Sequence, residues 1–197
     1  MLKRLFDFSA ALVGLIILSP LFLVTALIIL ITDPGPILYR AKRVGKQNKP
    51  FIMFKFRSMV VNADKLGGPS TAGDDARLTG IGKILRKFKL DELPELANVL
   101  NGTMSLVGPR PDVQMYIDMM TPEERATILS VRPGITDWAS LWNFHEEEVL
   151  HGAADPELAY QEKIWPEKKR LQIKYVKEQS FGADMKIIFQ TIAKLIT

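Results

Sequence analysis

The sequence predicts an α/β protein in two parts: an apolar N-terminal helical segment over residues 1–34, and a small mixed domain of helices and a short sheet over 35–197. Three observations predict it. Residues 8–32 carry no charge, enough at about 1.5 Å per residue for a hydrocarbon core roughly 30 Å thick. Phe51, Met53, Lys55 and Arg57 alternate with Ile52, Phe54 and Phe56, the period of a strand. Further on, Ile81, Ile84, Leu85 and Phe88, and later Met185, Ile188, Phe189, Ile192 and Leu195, recur at helical spacing. A chain of 197 residues suits one compact domain plus an appendage. The absence of cysteine excludes disulfides and thiolate metal sites.

The apolar run is too long for a secretory signal, and no small-residue cleavage site follows it. By hydropathy alone, a straight spanning helix is the simplest reading. Ser19-Pro20 lies in its middle, where proline removes a backbone hydrogen bond and the serine hydroxyl can satisfy the freed carbonyl. Lys3 and Arg4 place the N-terminus on the cytoplasmic side. Asp33-Pro34-Gly35-Pro36 ends the segment, since two prolines around a glycine cannot continue a helix.

Charge is strongly segregated beyond that point. Residues 37–90 carry 13 Lys/Arg against 3 Asp/Glu, whereas residues 91–165 carry 4 against 14. A basic block of this kind suits nucleic acid in general. Here it adjoins a membrane segment, and anionic lipid headgroups or a charged nucleotide substrate explain it without nucleic acid. Residues 37–59 read as two short strands around a turn at Gly45–Pro50. Gly67 to Asp75 reads as a loop, and 80–89 as a short amphipathic helix. Thr121-Pro122-Glu123-Glu124 is a helix start, with a capping threonine, proline at the first position and a glutamate answering the cap. Pro166 opens a basic helix, and the apolar stripe of 185–195 suits either core or a membrane interface. His145 and His151, six residues apart, lack the spacing of a zinc site.

The chain is organised around 86–111, RKFKLDELPELANVLNGTMSLVGPRP. Asp91-Glu92 stands between Arg86, Lys87 and Lys89 and a leucine-spaced helix whose first turn takes Pro94. At a helix N-terminus, free N–H groups and the dipole favour negative charge, so Asp91 reads first as a cap. The cationic turn before it and Arg110, held stiffly between Pro109 and Pro111, point instead to a phosphate-handling site. Arg132 in the next Pro-Gly turn is a further candidate.

FKFRSM (54–59), LDELPEL (90–96), MSLVGPRP (104–111) and VRPGIT (131–136) occur in the order found in bacterial sugar transferases, the small monotopic polyprenyl-phosphate phosphoglycosyl transferases. The likeness covers 2–136 closely and 156–191 more loosely. It implies transfer of a phosphosugar from a nucleotide diphosphate sugar, with uridine the expected base, to polyprenyl (undecaprenyl) phosphate. Asp91 is then the nucleophile of a phosphoaspartyl intermediate, ionised by its place at a helix N-terminus, and Glu92 positions metal or handles a proton. Mg²⁺ is held by Asp91 and Glu92, while Lys55, Arg86, Arg110 and Arg132 bind phosphate. The family's Ser-Pro pair implies a re-entrant helix bent at Ser19-Pro20, in the bacterial inner membrane with the catalytic domain on its cytoplasmic face. A homodimer is left open, as are the sugar and the pathway. Residues 137–151 (DWASLWNFHEEEVLH) depart from the common pattern, and Gln172 stands where many members have an acid.

Two other readings are a Mg-dependent nucleotide-sugar hydrolase, with water as acceptor, and a non-catalytic lipid-binding scaffold. Dependence of nucleotide release on polyprenol phosphate separates the first, and any turnover of nucleotide sugar excludes the second. A straight helix would split the cationic flanks across the membrane, against the positive-inside preference. A bend leaves two arms of about 12 residues, or roughly 18 Å each, sufficient for one leaflet. Single cysteines introduced at residues 2 and 47 should therefore both be labelled by impermeant maleimide only after the inner membrane is opened. Labelling of residue 2 from outside intact spheroplasts contradicts this topology.

Overall fold

The computed structural model describes residues 2–196. Helix α1 (Leu2–Thr32) is uninterrupted over 31 residues, with Pro20 inside it. The two separate arms expected from Ser19-Pro20 are not seen. Pro20 has no N–H to give the Ile16 carbonyl four residues back, and the Ser19 hydroxyl donates to that carbonyl at 2.8 Å instead. The ladder loses one bond and regains it locally, which lets the helix continue.

Most of α1 is apolar and exposed, and it is long and apolar enough to cross a membrane by length and composition. Its buried residues are Asp7, Ala11, Thr25 and Ile29, spacings that lie on one narrow stripe. Ala11 packs with Met53, Val99 and Met104 near one end, and Ile29 with Phe56 and Leu85 near the other. Both ends are also tied down by charge. Lys3 Nζ meets Asp184 Oδ2 at 2.7 Å and Arg57 meets Asp33 at 3.2 Å. The helix therefore lies lengthwise on the domain.

Strands β1 (Leu38–Val44) and β2 (Pro50–Phe56) form the expected hairpin, antiparallel with Leu38 opposite Phe56 and Val44 opposite Pro50. Its turn uses Gln47 and Asn48 at positive φ, 58° and 59°, values that polar turn residues tolerate. The Lys55 side of β2 is not a solvated face. Met53 enters the core beneath α1, and Lys55 points at carboxylates. Helix α2 (Gly80–Lys87) is capped by Thr79, whose hydroxyl accepts from Gly82 N at 2.9 Å. Lys89, at φ 53°, then reverses the chain into a 3-10 turn, Leu90–Glu92, that carries the acidic pair. Helix α3 (Glu95–Asn101) follows. Its fully buried Asn98 serves the open edge of β2, accepting from Phe54 N at 2.9 Å and donating to Ile52 O at 2.7 Å. Strand and helix are thereby locked in register on either side of Met53, just ahead of Lys55.

Strand β3 (Ser105–Val107) leads through α4 (Gln114–Asp118) and α5 (Pro122–Ile128), whose capping box is complete, to β4 (Gly134–Thr136). β3 and β4 pair in parallel, Ser105 with Gly134 and Val107 with Thr136. Then come α6 (Trp138–Trp142), α7 (Glu146–Val149), α8 (Pro156–Lys163), α9 (Trp165–Glu178) and α10 (Phe181–Ile196). The largest core cluster gathers Tyr116, Leu150, Tyr160, Ile164 and Trp165 between α4, α8 and α9. On α10 the buried residues are Asp184 and Ile187, while Phe189, Ile192 and Leu195 are exposed. An edge-on contact between Phe6 and Phe181, 5.4 Å apart, carries the apolar surface of α1 onto α10.

A Cβ on Gly134 would lie 2.1 Å from Gly108 N and 2.5 Å from its carbonyl oxygen. Backbone cannot yield there as a flexible side chain would. Gly134→Ala should cost about 1–3 kcal/mol of stability, read as a lowered denaturation midpoint in detergent. An unchanged midpoint contradicts this account of the β3–β4 pair.

Candidate active site

Asp91 and Glu92 lie side by side in the turn ahead of α3 but in different surroundings. Glu92 Oε1 faces Lys55 Nζ at 2.8 Å and is hydrogen-bonded by Arg110 NH2. Burial alone pushes its carboxyl up, yet Arg110, Lys55 and Lys89 outweigh burial and hold it well below the usual carboxylate range. Asp91 is buried, and its Oδ1 has no hydrogen-bond partner. Burial raises its carboxyl, Lys55 opposes that, and the neighbouring Glu92 charge adds to it. Burial thus works against the effect expected of a helix N-terminus at Asp91. Asp91 precedes a short helix from within a separate turn, and loss of water outweighs the dipole.

The sequence reading missed Glu95. This residue is fully buried, 3.6 Å from Lys55 Nζ and 3.5 Å from Arg110 NH2, and burial lifts its carboxyl to about 7 against the pull of Arg110. Its spacing from Asp91, four residues on, was the available signal. A lone acid among Leu93, Leu96 and Val99 reads more readily as the polar side of a helix.

Arg110 is fixed on several sides, which explains why its loop is stiff. NH1 donates to Ile135 O at 2.8 Å, its backbone N–H donates to Asp137 Oδ2 at 3.2 Å, and its carbonyl accepts from Gln172 Nε2 at 2.9 Å. Asp137 also caps α6 through Ser140. Gln172 therefore has a structural task that needs a donor, which a carboxylate at that position would not supply. Arg86 donates from Nε to Ser58 Oγ at 3.0 Å.

Lys55, Arg86, Asp91, Glu92 and Arg110 all border a single cavity of about 550 Å³. Arg132 does not. It is exposed and donates to the Gly102 carbonyl at 2.8 Å, where it supports the end of α3. Across the cavity stands a second ionic group absent from the sequence reading: Lys168 Nζ bonds Asp112 Oδ1 at 2.6 Å and Tyr160 OH at 2.8 Å. A third wall is apolar, with Leu18 of α1 and Ile188, Ile192 and Leu195 of α10. One space therefore joins acids and cations to the surface continuous with the apolar helix.

A family model described as bacterial sugar transferase matches residues 1–197. The chain belongs to that family. It is 37% identical over 203 residues, all of this chain, to the UDP-N-acetylgalactosamine-undecaprenyl-phosphate N-acetylgalactosaminephosphotransferase of Aeromonas hydrophila, covering 44% of that protein. It is 36% identical to the UDP-glucose:undecaprenyl-phosphate glucose-1-phosphate transferase of Escherichia coli K12, over 98% of this chain and 40% of the relative. It is 37% identical to the exopolysaccharide production protein PSS of Rhizobium leguminosarum, over 100% of this chain and 96% of the relative. The chain thus spans less than half the length of the first two relatives and nearly all of the third.

An acid whose folded value is raised binds its proton more tightly when folded, so its contribution to stability falls as pH rises from about 4 through that raised value. Asp91→Asn cannot ionise. Its melting temperature should exceed that of the wild type at pH 7.5, and the two should converge toward pH 4. A variant melting below wild type at pH 7.5 contradicts the burial account of Asp91.

Proposed function

We propose that the chain transfers a phosphosugar from a nucleoside diphosphate sugar, with uridine as the base, to polyprenyl phosphate. It releases nucleoside monophosphate and leaves a lipid-linked diphosphate sugar, the first membrane step in building a glycoconjugate. The observation that carries this reading is Asp91 Oδ1, buried and without a partner, in a cavity with a cationic wall and an apolar one. Every reactant is anionic, and a carboxylate approaches a diphosphate only where cations offset the charge. Lys55, Arg86 and Arg110 surround that approach. The names of the Aeromonas and Escherichia relatives, both sugar-phosphate transferases acting with undecaprenyl phosphate, agree with it.

In the first half-reaction an Asp91 carboxylate oxygen bonds to the phosphorus bearing the sugar, while the bond from that phosphorus to the bridging oxygen breaks. Nucleoside monophosphate leaves with that electron pair. In the second, a phosphate oxygen of the lipid attacks the same phosphorus and releases Asp91. Lys55 and Arg110 neutralise Glu92 and border the cavity, so a bound phosphate would draw these cations toward the new charge.

The residues fit Mg²⁺, a hard cation that takes carboxylate and phosphate oxygens together. Asp91 offers an oxygen with no hydrogen-bond partner, and Glu92 is its neighbour. Among the described residues no group of three or more His, Cys, Asp or Glu side chains is arranged for a metal. The dyad would therefore contribute two ligands, and substrate the others. Bound there, the ion would neutralise diphosphate charge.

The acceptor's isoprenoid chain would enter along the apolar wall from the membrane. Both ends of α1 are anchored to the same domain, which supports a helix that enters one leaflet and keeps domain and N-terminus on the cytoplasmic face of the inner membrane.

Asp91→Asn should reduce transfer by more than about a thousandfold. Wild-type protein incubated with UDP-sugar and no lipid should gain the mass of a sugar phosphate on the peptide containing Asp91, with ping-pong kinetics. A sequential pattern with no trapped adduct supports direct attack by the lipid phosphate instead. Nucleotide release that is indifferent to polyprenyl phosphate supports hydrolysis.

A further inference from the structure

The divergent segment 137–151 places two polar side chains at the cavity that nothing in the chemistry above employs. Asn143 follows α6 and Glu146 opens α7, three residues on, and both line the cavity that holds Asp91. Asn143 Nδ2 is buried with no hydrogen-bond partner. The Glu146 carboxylate is half-buried and makes no hydrogen bond or ion pair among the described residues. Burial raises its acid, with Lys168 pulling the other way and Asp112 adding to the rise.

Residues around these two are engaged, so the pair is held in place. Glu147 pairs with Lys89 at 3.3 Å, and its carbonyl accepts from Gly73 N at 2.9 Å. The Phe144 ring lies beneath the ammonium groups of Lys89 and Lys194, each 5.6 Å from its centroid. The segment is thus pinned to the loop before α2, to the residue before the dyad turn and to α10. Both residues line the cavity, one with an unused buried donor and the other with an unused acceptor.

The Glu146 carboxylate repels a phosphate, so the pair together does not suit one. A carboxylate acceptor calls for O–H or N–H, and an amide donor calls for a hydroxyl or carbonyl oxygen. We propose that Asn143 and Glu146 are the sugar-recognition residues, Glu146 accepting from a hydroxyl or acetamido N–H and Asn143 donating to a neighbouring oxygen. The donor is then a neutral hexose or acetamido sugar, and a uronic acid is disfavoured by Glu146. This inference rests on the transferase reading and names its substrate class.

The full chain in native lipid particles should be titrated with UDP alone, UDP-glucose, UDP-N-acetylglucosamine and UDP-glucuronic acid, followed by kcat/KM for each sugar nucleotide. Glu146→Gln keeps shape and should lower kcat/KM for the preferred neutral sugar about tenfold or more. UDP affinity should stay within about twofold, and the disadvantage of the uronic acid should shrink. Asn143→Asp should give a comparable loss, again sparing UDP. The proposal is overturned if Glu146→Gln, folded as judged by its melting temperature, weakens UDP and UDP-sugars alike or changes neither. It is also overturned if wild-type protein prefers the uronic acid. Wild-type protein that binds UDP but turns over no UDP-sugar defeats the transferase reading itself, and this inference falls with it.

Discussion

The charge cluster of half-buried Lys55, Arg110 and Glu92 around the buried Glu95 is the constraint on which the rest of the structure depends. Charges removed from water are tolerated only where each has partners in good geometry, and removing one partner leaves the others at a cost of several kcal/mol. The surrounding fold supplies that geometry. Asn98 holds β2 so that Lys55 points inward, and the parallel β3–β4 pair with Gln172 holds the Arg110 loop. Each supporting contact uses backbone groups, so the site is built into the main-chain framework.

Asp91 stands beside this cluster and is left incomplete. Its neighbour Glu92 is neutralised by direct contact, while Asp91 borders the cavity with a buried oxygen that has no partner. A carboxylate short of hydrogen bonds is costly to ionise, so this position weakens the fold. The apolar wall from α1 and α10 lowers the local dielectric and strengthens each charge interaction nearby.

What the sequence revealed followed from local rules. The hairpin showed in its alternation, the α5 start in its capping box, and the acidic pair in its neighbouring cations. What it concealed depended on tertiary partners. Glu95 and Asn98 look like polar decoration on an amphipathic helix until β2 is placed against them. Lys168 and Asp112 are 56 residues apart and meet only through packing. Arg132 shares a proline-flanked setting with Arg110, yet the register of β3 and β4 turns the second into the cavity and leaves the first outside. Pro20 suggested two arms, whereas one helix runs through it with the Ser19 hydroxyl on the Ile16 carbonyl.

Asp7 gives α1 a second character. Buried within an otherwise greasy helix, it accepts from the Ser105 hydroxyl at 2.7 Å and from Leu106 N at 3.4 Å, while Ala11 closes over Met53 and Met104. The helix is therefore a load-sharing wall of the domain as well as its lipid-facing part. Cutting it away would not leave the domain intact. It would unroof the core and strand the β3 hydroxyl, so the apolar segment and the domain fold as one unit.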